Sequence, residues 1–158
     1  MKWFCPLPFY HIYSNSNGKW AACCLSKSPG HTTENTSLME WYNSEHMNNL
    51  RDEMIGLSNS SENINAFCKI CVNQEMNEGS STRLKWISNL KSDRKKGVDK
   101  TVEEYVNTNK ISFKDNNYRF LELKLRIFGN LCNLSCFMCW PQNSSSRMND
   151  VNKMANPI

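Results

Sequence analysis

Between Phe120 and Phe128 apolar and polar residues alternate: Leu121, Leu123, Leu125 and Ile127 fall on one side, Glu122, Lys124 and Arg126 on the other. A period of two predicts a strand with one packed and one polar face. Such a strand suits a solvated antiparallel sheet or a barrel whose inner face lines a cavity, and Gly129-Asn130 ends it. Near the other end, Phe9 to Tyr13 is an aromatic and β-branched run, Asn17-Gly18 is a turn dipeptide, and Lys19 to Ala22 can return, so a β-hairpin is predicted. Helical spacing replaces alternation from Ser44 to Ile55, where Met47, Leu50, Met54 and Ile55 recur and Gly56 supplies the stop. That stripe reads as core packing.

The intervening stretches are polar. Ser26 to Ser37 reads as a loop and Leu57 to Asn65 as a Ser/Asn-rich connector. A helix is expected from Cys68-Lys69-Ile70-Cys71 to about Glu78, ending at Gly79. Between Ser80 and Lys100 basic residues accumulate, including Arg83, Lys85, Lys95 and Lys96, with Trp86 among them. Asp93 and Asp99 interrupt the set and it has no fixed spacing, so it reads as a solvated linker or helix face rather than a nucleic-acid surface. Thr101-Val-Glu-Glu104 has the capping-box pattern and predicts a short helix to about Asn107. Residues 107–117 then read as a linker between a region spanning 1–106 and one spanning 118–158.

Composition narrows the class. The 158 residues carry a net charge of +4, too mild to indicate nucleic acid. The mean hydropathy of −0.63 implies a modest core for this length, so a further staple is expected. Eight cysteines are the available staple. The opening MKWFCPLPFYHIY lacks a secretory pattern, because Pro6 and Pro8 break the apolar run and no small-residue cleavage site follows. No stretch approaches the length of a membrane span. The expectation is a cytoplasmic protein whose cysteines bind metal in a reducing compartment, not a disulfide framework.

The cysteines fall into two constellations. The hairpin brings Cys5, before its first strand, near Cys23, after its second; Cys68 and Cys71 turn toward one point from the start of a helix, where its dipole favours thiolates. These four form a closed set suited to structural zinc or to an iron-sulfur cluster, and spacing does not choose between them. A thioredoxin-like pair would need a βαβ context that is missing. Cys24 is left over as a packed thiol beside the set, and His11, alone within a strand, reads as a packed side chain. The second constellation is Cys132, Cys136 and Cys139, a CxxxCxxC motif in CNLSCFMC. Three thiolates leave one coordination position open for chemistry.

CNLSCFMC after a strand, in the run LELKLRIFGNLCNLSCFMCWPQNSSS, resembles the cluster segment of radical S-adenosylmethionine (radical SAM) enzymes. Cys5, then Gly18 with four residues before Cys23, then Cys68-x-x-Cys71 is similar to the auxiliary-cluster domain called twitch, a shortened SPASM domain. The NSEHMNNLRDEMIG helix and Ser81-Thr-Arg83 are similar to a group of twitch-containing radical SAM proteins of bacteriophage and environmental sequences, in which twitch precedes the radical SAM strand.

The resemblance implies an α+β chain. A small cysteine-rich twitch-like domain of hairpin and helices would be followed by the first strand and cluster loop of an incomplete radical SAM (β/α)6 partial barrel. Cys132, Cys136 and Cys139 would hold three irons of a [4Fe-4S] cluster whose fourth iron binds S-adenosylmethionine. That cofactor would be cleaved reductively to a 5′-deoxyadenosyl radical, which abstracts hydrogen from an unknown substrate. Cys5, Cys23, Cys68 and Cys71 would hold an auxiliary [4Fe-4S] cluster, with zinc as the alternative at that site. The implied partners are an electron donor such as flavodoxin or ferredoxin and a second chain or further sequence completing the barrel. No catalytic side chain is assigned, and this N-terminal part alone is expected to be inactive. A non-catalytic iron-sulfur electron-transfer or binding module and a zinc-stapled interaction domain are the competing readings.

Overall fold

A computed structural model describes residues 3–15, 17–27, 34–90, 92–111, 122–124, 141 and 144–155. The chain opens with a single helical turn, α1 (Leu7–Tyr10), and only then enters strand β1 (His11–Ser14). The strand expected from Phe9 therefore begins two residues later. Pro6 and Pro8 explain the shift: their fixed φ suits a first helical turn that needs no donor from them, and the Phe9 N–H closes that turn on the Pro6 carbonyl at 3.0 Å.

Strand β2 (Trp20–Ala21) pairs antiparallel with β1, Tyr13 opposite Ala21 and Ser14 opposite Trp20. It is shorter than the expected return. Asn15 organises the reversal, its Oδ1 accepting the N–H groups of Asn17 (2.9 Å) and Lys19 (3.0 Å). Gly18 provides the left-handed residue, at φ 65°.

On its other edge β1 pairs in parallel with β3 (Glu122–Lys124), with His11 opposite Glu122 and Tyr13 opposite Lys124. The described part of the alternating run is thus a strand in a three-stranded sheet of order β2-β1-β3. Parallel partners need a long crossover. The chain between β2 and β3 supplies it, largely as helices.

The first of these is α2 (Leu38–Tyr42), in a region not assigned from the sequence; Ser37 and Glu40 close its capping box. Helix α3 (Glu45–Ile55) has the expected Ser44 cap and stops at Gly56, φ 80°. It buries Met47, Leu50 and Met54 as their spacing predicts. Helix α4 (Glu62–Phe67) begins inside the expected connector and takes over its last four residues. Its start is satisfied from outside: the Glu53 carboxylate on α3 accepts the backbone N–H groups of Asn63 (3.1 Å) and Ile64 (2.9 Å).

Helix α5 (Lys69–Glu78) starts at the CxxC and ends at Gly79, as expected, and α6 (Thr82–Ser88) follows behind an N-cap at Ser81. The largest departure is α7 (Ser92–Thr108), which runs through the predicted start at Thr101. Thr101 lies inside the helix, its hydroxyl donating to the Gly97 carbonyl at 2.9 Å, while Val98, Thr101 and Tyr105 form a buried stripe. Burial of that stripe outweighs the local capping signal. Ile111, in the stretch read as a linker, is also buried, and Asn43 clamps its backbone by accepting its N–H (2.9 Å) and donating to its carbonyl (3.2 Å). Helix α8 (Ser145–Ala155) closes the described chain. Among the described residues no helix is long and apolar enough to cross a membrane.

The core lies between α1, the sheet, α2, α3 and α7. Trp20 and Trp41 stack there at 5.9 Å, and Arg51 is fully buried among aromatic rings. Its guanidinium lies 4.4 Å from the Tyr42 ring, 5.5 Å from Tyr105 and 6.0 Å from Phe9, while Nε donates to the Pro8 carbonyl at 3.0 Å. His11 is buried, with Nδ1 3.1 Å from the Ala22 carbonyl.

Trp41→Ala empties a site with no solvent exposure and is expected to cost about 3–5 kcal/mol. Gly56→Ala meets no atom within 4 Å of the added Cβ and should cost only the left-handed backbone strain, about 1–2 kcal/mol. Urea denaturation of the two variants checks this ranking, and equal losses would contradict it.

Candidate metal centre

The structure brings together four of the predicted ligands. Cys5, just before α1, Cys23, just after β2, and Cys68 and Cys71 at the start of α5 line one pocket, and none is in a disulfide. The hairpin does what its pattern implied, returning the chain so that Cys23 faces the segment that carries Cys5. Leu7, Leu25, Phe67 and Ile70 make most of the remaining wall apolar. The space between these residues, including the part open to solvent, is about 370 Å³.

An apolar wall acts on the thiols. Burial pushes the Cys23 thiol up to about 11 and Cys68 up to about 12, and raises Cys5 well above the usual range; repulsion from neighbouring thiolates adds to each. At neutral pH the metal-free pocket therefore holds these three as neutral thiols. Any cation bound there must displace protons, so its binding tightens as pH rises. Among the described residues the wall carries no carboxylate, and its soft sulfur donors suit a thiophilic metal or an iron-sulfur cluster.

Four sulfur donors on one pocket suit either of these two. Among the described residues no group of three or more His, Cys, Asp or Glu side chains converges closely enough to hold one metal ion. A single tetrahedral zinc, with bonds of about 2.3 Å, would need its sulfurs within about 3.8 Å of one another. A cubane cluster distributes its four thiolates over four irons.

The sequence reading missed the residue that ties this pocket together. Arg83, grouped there with solvated basic residues, is buried on α6 and lines the same pocket. Its Nε donates to Glu75 Oε1 at 2.8 Å, its Nη2 pairs with Glu75 Oε2, and its Nη1 donates to the Phe4 carbonyl at 2.7 Å. The guanidinium also lies 5.3 Å from the Trp3 ring. Ser81, the cap of α6, donates to the same carboxylate. One ion pair thus joins α5, α6 and the residue before Cys5. The available signal was Glu75 itself, one helical turn beyond Cys71 and on the same face.

Cys24 is exposed and does not line the pocket, which corrects its reading as a packed thiol. Cys132, Cys136 and Cys139 lie outside the described residues. Their flanks, β3 and α8, give a strand before and a helix after that segment. No family model, curated protein or solved structure matches the chain.

The raised thiols set a pH dependence. An unfolded cysteine ionises near its ordinary 9.0, whereas Cys23 and Cys68 wait until about 11 and 12. The stability of the metal-free chain is then complete below about pH 9 and falls as pH climbs through that window, because the unfolded state releases protons first. The urea midpoint should drop between pH 9 and 11 in the native sequence and drop less in a Cys23→Ser, Cys68→Ser double variant. Identical slopes would show that these thiols ionise freely.

Proposed function

We propose that Cys5, Cys23, Cys68 and Cys71 hold an auxiliary [4Fe-4S] cluster, and that the chain is the N-terminal part of a radical SAM enzyme. The observation that carries the first half is the meeting of these four cysteines, drawn from three separate segments, on one apolar pocket. The choice of a cluster over zinc rests on the resemblance carried by the cysteine pattern. The second half rests on the CxxxCxxC at Cys132, Cys136 and Cys139, set between a strand and a helix.

In this reading Cys5, Cys23, Cys68 and Cys71 fill all ligand positions, so the auxiliary site supports structure or electron transfer instead of binding substrate. Cys132, Cys136 and Cys139 leave one position for S-adenosylmethionine. The chemistry that the open cluster supplies when bound is reductive cleavage of S-adenosylmethionine to start hydrogen abstraction. What this chain's residues contribute is ligation, exclusion of water by Leu7, Leu25 and Phe67, and a fixed positive charge from Arg83.

Anaerobic reconstitution of the full chain with iron and sulfide tests the reading. The expected product is brown, with about eight irons per chain, four for each cubane. Cys136→Ala should retain the auxiliary half of that iron, and Cys71→Ser should lose it. S-adenosylmethionine should alter the electron paramagnetic resonance spectrum of the reduced native chain and leave that of Cys136→Ala unchanged. A colourless protein holding one zinc at the four-cysteine site would overturn the proposal in favour of a zinc-stapled domain.

A further inference from the structure

Arg83 is a buried cation with an unusual set of neighbours. It lines the pocket with all four cysteines, while its counter-ion Glu75 is not part of that wall. The pair therefore presents a dipole whose positive end faces the sulfurs. Its orientation is fixed on three sides by the Glu75 carboxylate, the Phe4 carbonyl and the Trp3 ring. Glu75 is in turn held by the Ser81 hydroxyl. Such bracing exceeds what an exposed surface ion pair needs, and it costs little reorganisation when charge in the pocket changes.

We propose that the Arg83–Glu75 dipole sets the reduction potential of the group bound by Cys5, Cys23, Cys68 and Cys71. The inference rests on the cluster reading of that site. Four thiolates give a cubane a net negative charge, and reduction adds one electron from an external one-electron donor with no bond made or broken. The reduced form carries one more negative charge than the oxidised form and gains more from a nearby cation. Arg83 stabilises the reduced cluster and raises its potential; Glu75, further from the sulfurs, partly offsets this. Arg83 is thus a positioning and tuning residue, and the two members of one ion pair act on the potential with opposite signs.

That opposition separates an electrostatic role from a structural one. The Cys136→Ala background leaves only the auxiliary site loaded, and its midpoint can be followed by dithionite titration with electron paramagnetic resonance. Arg83→Gln should lower the midpoint, with a tenfold change in the reduction equilibrium equal to about 59 mV for a one-electron couple. Arg83→Lys should stay near the parent value. Glu75→Gln should raise the midpoint. Iron content is measured on every sample. A parent protein that takes up no iron would defeat the cluster reading itself. Loaded Arg83→Gln with an unchanged midpoint, or Arg83 and Glu75 variants shifting in the same direction, would overturn the tuning role alone. If Arg83→Gln fails to retain iron, Glu75→Gln decides: an upward shift supports the role, and no shift or a downward one refutes it.

Discussion

The burial of Arg51 is the constraint on which the rest of the fold depends. A guanidinium with no solvent exposure must find partners inside the protein, and it finds them in the Pro8 carbonyl, Asn48 and the rings of Tyr42, Tyr105 and Phe9. Those partners come from α1, α2, α3 and α7, so one side chain sets how four helices meet. Burial lowers the Arg51 pKa and neighbouring tyrosines partly restore it. Asp52 shares in the arrangement by accepting the Tyr105 hydroxyl at 2.8 Å.

That core orients the segments bearing the cysteines. Pro8 is three residues beyond Cys5, and Trp20, stacked on Trp41, is three before Cys23. Glu53, in the last turn of α3, holds the start of α4, which leads directly into Cys68. The thiol pocket is therefore supported from the core on one side and by the Arg83–Glu75 pair on the other. Because burial raises the Cys5, Cys23 and Cys68 thiols, the pocket can be assembled without a cluster of negative charges at these three positions.

What could be read in the sequence was what depends on neighbours in sequence. Helix α3 carries its own cap, stripe and glycine stop, and the CxxC helix its own left-handed end at Gly79. The four-cysteine set was legible because a hairpin and a CxxC each bring a pair of sulfurs together, leaving one convergence to infer. Structure organised at a distance was not legible. Helix α4 is started by a carboxylate from α3, α7 extends past a local capping signal because Val98 and Tyr105 find the core, and Ile111 is held by Asn43. Arg83 looked solvated among basic neighbours because its environment comes from Glu75 and Phe4. The α2 box at Ser37 and Glu40 is a different case, a local signal present in the sequence at the end of the polar loop and in the unassigned residues after it.

The parallel pairing of β1 with β3 bears on the order of folding. Its partners, His11 with Glu122 and Tyr13 with Lys124, stand 111 residues apart in the chain. The entropy of closing so long a loop delays such contacts relative to local helices and the hairpin. During synthesis β1 would leave the ribosome with one edge paired to β2 and the other bare until more than a hundred further residues had followed. An unpaired strand edge is open to association with other chains, so the interval before β3 arrives is the period in which this protein is most exposed to misassembly.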